Sequence, residues 1–280
     1  MPDAQPQEFH IDICDSSLSI VDQLEAATGF GRQQIKSIMD KGALWLERGN
    51  STRRLRRVKT PLKIADTLHL YYNVEVLQAE TEPAQLISDE QDYSVWYKPY
   101  GMHSQGSKWG DHTTITRSVE KHTQRNAFLI HRLDRAATGL MLIAHKKTTA
   151  AALAALFAER KITKRYRAIV EGLCPAFNTA ITLNQPIDGK PSVSHVSTVT
   201  QHRDKHQSLV EVHIETGRKH QIRRHLAESG YPIIGDRLHG NADESSTDNL
   251  QLCSYELAFT CPSTGEARHY TLPTALQPQL

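Results

Sequence analysis

Residues 140–144, Leu-Met-Leu-Ile-Ala, form an unbroken apolar run that follows Thr138-Gly139. A run this short, apolar at every position and bounded by glycine, fits a strand covered on both faces of a sheet. Directly before it stands the charged stretch Ile130-His131-Arg132-Leu133-Asp134-Arg135. A charged loop feeding a buried strand belongs where the sheet opens to a cleft. Asp134 is then a carboxylate framed by Arg132 and Arg135. Flanking cations favour the ionised form, and a positioned carboxylate is a candidate nucleophile or base. In isolation the same residues also make an ordinary salt-bridged surface turn, so the choice rests on the remainder of the chain.

A chain of 280 residues can bury a sizeable core and leave room for a small module beside one larger domain. The 33 basic and 31 acidic residues nearly cancel, so only local charge is informative. Cys14, Cys174, Cys253 and Cys261 lie far apart with no Cys-x-x-Cys pair and no histidine spaced to complete a zinc site, which argues against structural zinc. The start of the chain lacks a basic segment and an apolar core, and no apolar run is long enough to span a bilayer. We therefore expect a soluble, cytoplasmic monomer with free thiols and no membrane partner.

Residues 1–10 are polar and proline-bearing, and we read them as a loose tail. Leu18, Val21 and Leu24 fall at helical spacing up to Gly29, and Ile35, Ile38 and Met39 mark a second helix that ends at Gly42. Residues 44–46 and 67–72 read as strands. Two helices and a small sheet thus make a module over residues 11–77. Between Gly31 and Thr60 nine basic residues (Arg32, Lys36, Lys41, Arg48, Arg53, Arg54, Arg56, Arg57, Lys59) face two acidic ones, Asp40 and Glu47. Such density releases counterions on meeting phosphates, so RNA is the natural partner, although a charge run can also be a solvated face. Residues 78–91 hold acidic residues and Pro83 but no basic residue and read as a linker.

The second domain, residues 92–280, should open with a strand at 93–97 and a turn at Lys98-Pro99-x-Gly101. The Gly- and Ser-bearing stretch 104–111 is expected to be mobile. Residues 148–160 are Ala-rich, with Leu153, Leu156 and Phe157 on one helical face, and should pack on the sheet. In residues 164–170 the alternation places Tyr166, Ala168 and Val170 together, and from spacing alone Tyr166 is a core tyrosine. Val210, Val212 and Ile214 mark another strand, turned by Thr216-Gly217. A helix over 218–228 would set Arg218, Lys219 and His220 near its N-terminus, where free amides beside basic side chains bind anions. Arg223 and Arg224 cannot both face the core, so one should face a cleft. Strands at 252–260 and 267–272 close the chain around the turn Pro262-Ser263-Thr264-Gly265.

His131-Arg132-Leu133-Asp134-x-x-x-Thr138-Gly139 resembles the catalytic segment of the RluA-type pseudouridine synthases. The resemblance continues through residues 164–172, through Thr216-Gly217-Arg218-Lys219-His220-Gln221-Ile222-Arg223 and through Tyr231-Pro232-Ile233-Ile234-Gly235-Asp236. It covers residues 92–273, in order. It implies an α+β fold with a largely antiparallel mixed sheet around a catalytic cleft. The implied enzyme isomerises uridine to pseudouridine in ribosomal or transfer RNA, without cofactor or metal. By the same resemblance Asp134 is the nucleophile or base, Arg223 its ion-pair partner and Tyr166 the residue that stacks on uracil. Arg132 either fills the stack vacated by a flipped uridine or clamps a phosphate. The basic N-terminal module resembles the ribosomal-protein-type RNA-binding module that often precedes this domain, with the Arg-rich insert 51–57 as its departure. Cys253 stands where relatives have His, which we read as packing. A catalytically inactive RNA-binding paralogue is the alternative, although Asp134, Tyr166 and Arg223 are all present. A glycosidase would require a second carboxylate across the bond.

Overall fold

The computed structural model describes residues 5–175, 180–243 and 245–280, so residues 1–4 of the expected tail lie outside it. The chain divides into two compact units. One runs through Glu80 and takes in Gln105–Ser118; the other comprises Thr81–Ser104 and Val119–Leu280.

The first unit contains β1 (Gln7–Asp12), α1 (Ile20–Thr28), α2 (Arg32–Asp40), β2 (Leu44–Arg48), β3 (Ser51–Arg54), β4 (Thr67–Tyr72) and α3 (Val74–Gln78). Ser19 starts α1 through a reciprocal capping box with Asp22, which satisfies two of the amides that a helix start leaves free. Gly29 ends that helix in the left-handed conformation. The helices bury Leu24, Ile35 and Ile38 against Leu44, Leu46, Leu68 and Leu70 of an antiparallel sheet ordered β1-β4-β2-β3. One sequence expectation is corrected here. The second half of the supposed tail is β1, paired with β4 along its whole length. Within the Arg-rich stretch, Ser51–Arg54 is a hairpin strand that places Arg54 opposite Trp45.

The stretch expected to be mobile is also ordered within this unit. Trp45 Nε1 donates to the Lys108 carbonyl at 3.1 Å, Trp109 meets Tyr71 edge-on at 5.7 Å, and Lys108 Nζ bonds Glu8 at 2.6 Å. Arg54 and Arg56 both pair with Asp111. Aromatic contact and charge together hold a segment whose composition resembles a free loop.

The second unit is built on β5 (Gln85–Asp89), β6 (Tyr93–Lys98), β7 (Phe128–Leu129), β8 (Thr138–Ala144), β9 (Thr163–Glu171), β10 (Ile181–Leu183), β11 (Ser194–His202), β12 (Gln207–Ile214), β13 (Leu252–Thr260) and β14 (Ala267–Thr271). Its helices are α4 (Ile115–Thr123, which begins in the returning segment), α5 (Lys147–Ala158) and α6 (Gln221–Glu228). Strand β5 lies in what reads as a linker, because Leu86 and Ser88 take up pairing with β6. The sheet order is β10-β11-β12-β9-β13-β8-β6-β5, with β14 beside β13 and β7 beside β8. All pairs are antiparallel except β13 with β8. Residues 140–144 are fully buried at the sheet centre, as their composition requires. At Gly139 (φ +120°) a Cβ would collide with the Ser254 backbone, so only glycine lets β8 approach β13 this closely.

Candidate active site

Asp134 lies in the loop before β8, Tyr166 stands on β9 and Arg223 on α6, and all three line one small pocket with Arg132, Arg218 and His220. The pocket measures about 100 Å³. That is below the roughly 300–1,000 Å³ of pockets that enclose a whole small ligand, so it suits one end of a larger molecule. An adjoining groove of 560 Å³ shares Arg132, Tyr166 and Arg218 with it.

The cations that meet Asp134 are not its sequence neighbours. Arg132 and Arg135 are exposed, and Arg135 Nε donates to the Gly101 carbonyl. Instead Arg223 Nη1 lies 3.2 Å from Asp134 Oδ2, and His220 Nε2 lies 3.8 Å from Oδ1. Asp134 keeps 29 % of its side chain exposed, whereas Arg223 keeps 5 %. The stronger partner of Arg223 is Asp236, whose carboxylate receives Nε at 2.8 Å and Nη2 at 2.6 Å. Backbone amides of Leu238 and His239 also donate to Asp236. Burial would push the Asp236 carboxyl up, but the guanidinium and the amides outweigh it and hold it below the usual carboxylate range. Arg223 is thus fixed by one buried carboxylate and presents its remaining nitrogen to the other.

Arg224 pairs with Asp188 at 2.9 Å, whereas Arg223 lines the pocket. Helix α6 starts at Gln221, three residues later than read from sequence, because His220 takes a left-handed conformation (φ 55°). There His220 Nδ1 sits 2.9 Å from His239 Nε2. Tyr166 is 9 % exposed, and burial pushes its phenol up to about 12, so it keeps its proton at neutral pH. His131 belongs to the scaffold. Its Nε2 accepts the Leu142 amide at 3.0 Å and its ring stacks on Phe157. Cys253 is fully buried between strands, in keeping with a packing role.

The loop carrying Asp134 is held from below. Lys98 is fully buried and donates to the carbonyls of Pro99 (3.1 Å), Met102 (2.9 Å) and Arg135 (3.3 Å). Burial pushes its amine down to about 7, and the Asp134 charge opposes this. Ser104 Oγ donates to the Leu133 carbonyl at 2.6 Å and lies 3.0 Å from the Leu133 nitrogen. Sequence reasoning gave Asp236, Lys98 and Ser104 no role. The only signals were Gly235-Asp236 and Lys98-Pro99-x-Gly101 within the resembling segments.

The remaining residues expected to contact RNA lie in the first unit. Arg32 is bound to Asp22 (2.5 Å) and Glu25 (3.1 Å). Arg54 lies over the Trp45 ring at 4.3 Å and shares Asp111 with Arg56. Arg53 and Arg57 are exposed and, with Lys59, border an open groove of 580 Å³. Among the described residues no three His, Cys, Asp or Glu side chains could share a metal ion, and no helix is long and apolar enough to cross a membrane.

The sequence profile of the RNA pseudouridylate synthase family matches residues 92–228, which contain Asp134, Tyr166 and Arg223. The tRNA pseudouridine synthase C of Yersinia pestis is 32 % identical over 182 residues, 55 % of this chain and 71 % of that protein. The ribosomal large subunit pseudouridine synthase D of Neisseria meningitidis is 28 % identical over 219 residues, 67 % of this chain but only 57 % of that protein's length. In fold, human RNA pseudouridylate synthase domain containing 1 superposes with a TM-score of 0.59 at 21 % identity, covering 70 % of this chain and 85 % of that one. The chain belongs to the RNA pseudouridine synthases of the RluA type.

Proposed function

We propose that the chain converts uridine to pseudouridine in ribosomal or transfer RNA, the substrates named for its two relatives. The bond from the sugar carbon to nitrogen 1 breaks, a bond to carbon 5 forms, the proton on carbon 5 leaves, and nitrogen 1 ends with one. Redox state does not change. The reading is carried by the pocket in which β8, β9 and α6 bring Asp134, Tyr166 and Arg223 together from distant parts of the sequence. In it Asp134 is the nucleophile or base, Arg223 positions it, and Tyr166 offers an apolar ring face to uracil with its hydroxyl protonated.

The pocket's small size supports entry of a base flipped out of its stack, which costs a few kcal/mol and is cheapest in loops and mismatches. Arg132, exposed at the rim, fills the vacated stack or clamps a phosphate. The N-terminal unit supplies affinity through Arg53, Arg57 and Lys59, because Arg32, Arg54 and Arg56 already have carboxylate partners. The test is pseudouridine mapping in ribosomal and transfer RNA from cells with and without the chain, followed by reaction of the purified protein with the unmodified RNA. Loss of one or more positions in the deletion, restored in vitro, is expected. An unchanged map would overturn the reading.

A further inference from the structure

Asp134 is approached at each oxygen by a different side chain. Arg223 Nη1 lies 3.2 Å from Oδ2, and His220 Nε2 lies 3.8 Å from Oδ1. Asp236 fixes the guanidinium, whereas the imidazole is fixed by a second histidine. His220 Nδ1 sits 2.9 Å from His239 Nε2, with the two rings meeting edge to face at 68°. A contact of that length between two ring nitrogens requires one proton between them.

Burial, foremost, pushes both imidazoles below the ordinary histidine value, against the pull of the Asp134 charge. Each ring therefore carries a single proton at neutral pH. Two arrangements satisfy the contact. If His220 donates, its Nε2 turns a lone pair to the Asp134 carboxylate, which is repulsive. If His239 donates, the His220 proton stands on Nε2 and faces Oδ1. The carboxylate favours the second arrangement. The 3.8 Å separation is longer than a hydrogen bond, as catalytic contacts often are until substrate fills the site.

The turn that carries His239 is tightly held. Its amide and that of Leu238 donate to Asp236 Oδ1, and the Gly240 amide donates to the Asp236 carbonyl at 3.1 Å. A Cβ at Gly240 would stand 2.8 Å from that carbonyl oxygen, so the turn closes this far only with glycine. Asp236 thus sets both groups that face Asp134: Arg223 directly, and His220 through the backbone that presents His239.

We propose that His239 is a positioning residue for the isomerisation, donating its Nε2 hydrogen to His220 Nδ1 and so holding His220 in the tautomer whose Nε2 hydrogen steadies Asp134 Oδ1. The inference rests on the isomerase reading above and adds a residue to its site. One test is the imidazole nitrogen resonance spectrum of the full chain at neutral pH, isotope-labelled at histidine, with signals assigned through His220→Gln and His239→Gln. His220 should show a protonated Nε2 and a hydrogen-bonded, unprotonated Nδ1, and His239 a protonated Nε2. A proton on His220 Nδ1 would overturn the proposal.

The other test is single-turnover pseudouridine formation at saturating enzyme. His239→Phe keeps an aromatic ring but loses the donor, so the rate should fall roughly tenfold, the worth of one hydrogen bond, at unchanged RNA affinity. His239→Gln returns a donor to Nδ1 and should recover most of the rate. An unchanged rate in the Phe variant would overturn the proposal, and equal losses in the Phe and Gln variants would assign His239 to the scaffold instead. Weaker RNA binding with an unchanged saturated rate would make the pair an RNA contact and likewise overturn it. Absence of pseudouridine formation by the wild type would sink the isomerase reading alone, since the His220 tautomer is read without turnover.

Discussion

Replacing Arg223 by Ala should destabilise the catalytic unit mainly through Asp236. The guanidinium gives Asp236 two bonds, at 2.8 and 2.6 Å, and Asp134 one, at 3.2 Å. Asp236 keeps 1 % of its side chain exposed, so Arg223→Ala strands a buried carboxylate, which costs about 3–5 kcal/mol. The amides of Leu238 and His239 still reach that carboxylate and place the loss at the lower end, about 3 kcal/mol. Asp134, better solvated, adds little. Urea denaturation of Arg223→Ala, Asp236→Ala and the double variant would measure this. The double variant should be less damaged than the sum of the singles by about 1–3 kcal/mol, because each single leaves the other charge unpaired. Arg224→Ala, whose partner Asp188 is exposed, should unfold like the wild type. Strict additivity, or equal damage from Arg223→Ala and Arg224→Ala, would refute the reasoning.

Lys98 should impose a pH dependence on stability. Its folded-state pKa, about 7, lies below the ordinary lysine value, so the unfolded chain binds more protons across the interval between them and stability rises with pH there. Between about pH 7 and pH 8 this group contributes a gain of about 1 kcal/mol. Lys98→Met should remove that rise while lowering stability at neutral pH, and an undiminished rise in urea titrations would refute the assignment. In the first unit, Arg53, Arg57 and Lys59 changed together to Gln should flatten the salt slope for unmodified transfer RNA by about 2, at roughly 0.7 for each phosphate met. An equal slope would remove this groove from RNA binding. Point substitutions serve better than truncation, because deleting residues 1–80 would leave Trp109 without Tyr71 and Asp111 without Arg54 and Arg56.

Local pattern made much of the fold legible. The run Leu140 to Ala144 fitted a buried strand, and Gly29 and Gly42 marked the ends of α1 and α2 within a residue or two. Charge was the least legible quantity. Nine cations against two anions described residues 31–60 well, yet partners at long range neutralise several: Arg48 meets Asp66, and Arg54 and Arg56 meet Asp111. Asp111 lies in a stretch whose glycines and serines spoke for a loop, and no period in the sequence connects it to Trp45 or Arg54. The same holds for the site. Alternation put Tyr166 among apolar neighbours, but spacing cannot bring it to Asp134. Nor can it show that Asp236 is the carboxylate anchoring Arg223.

The central claim is that the Asp134 carboxylate acts on the uridine, and Asp134→Asn tests it most directly. The amide keeps the shape and loses the charge and basicity that a nucleophile or a base requires. Asp134 is partly exposed and makes one direct bond to Arg223, so the variant should fold and bind unmodified RNA as the wild type does. Single-turnover formation of pseudouridine, at enzyme concentrations that saturate the RNA, should fall to background. Pseudouridine formed by the purified Asn variant at the wild-type rate would contradict the account.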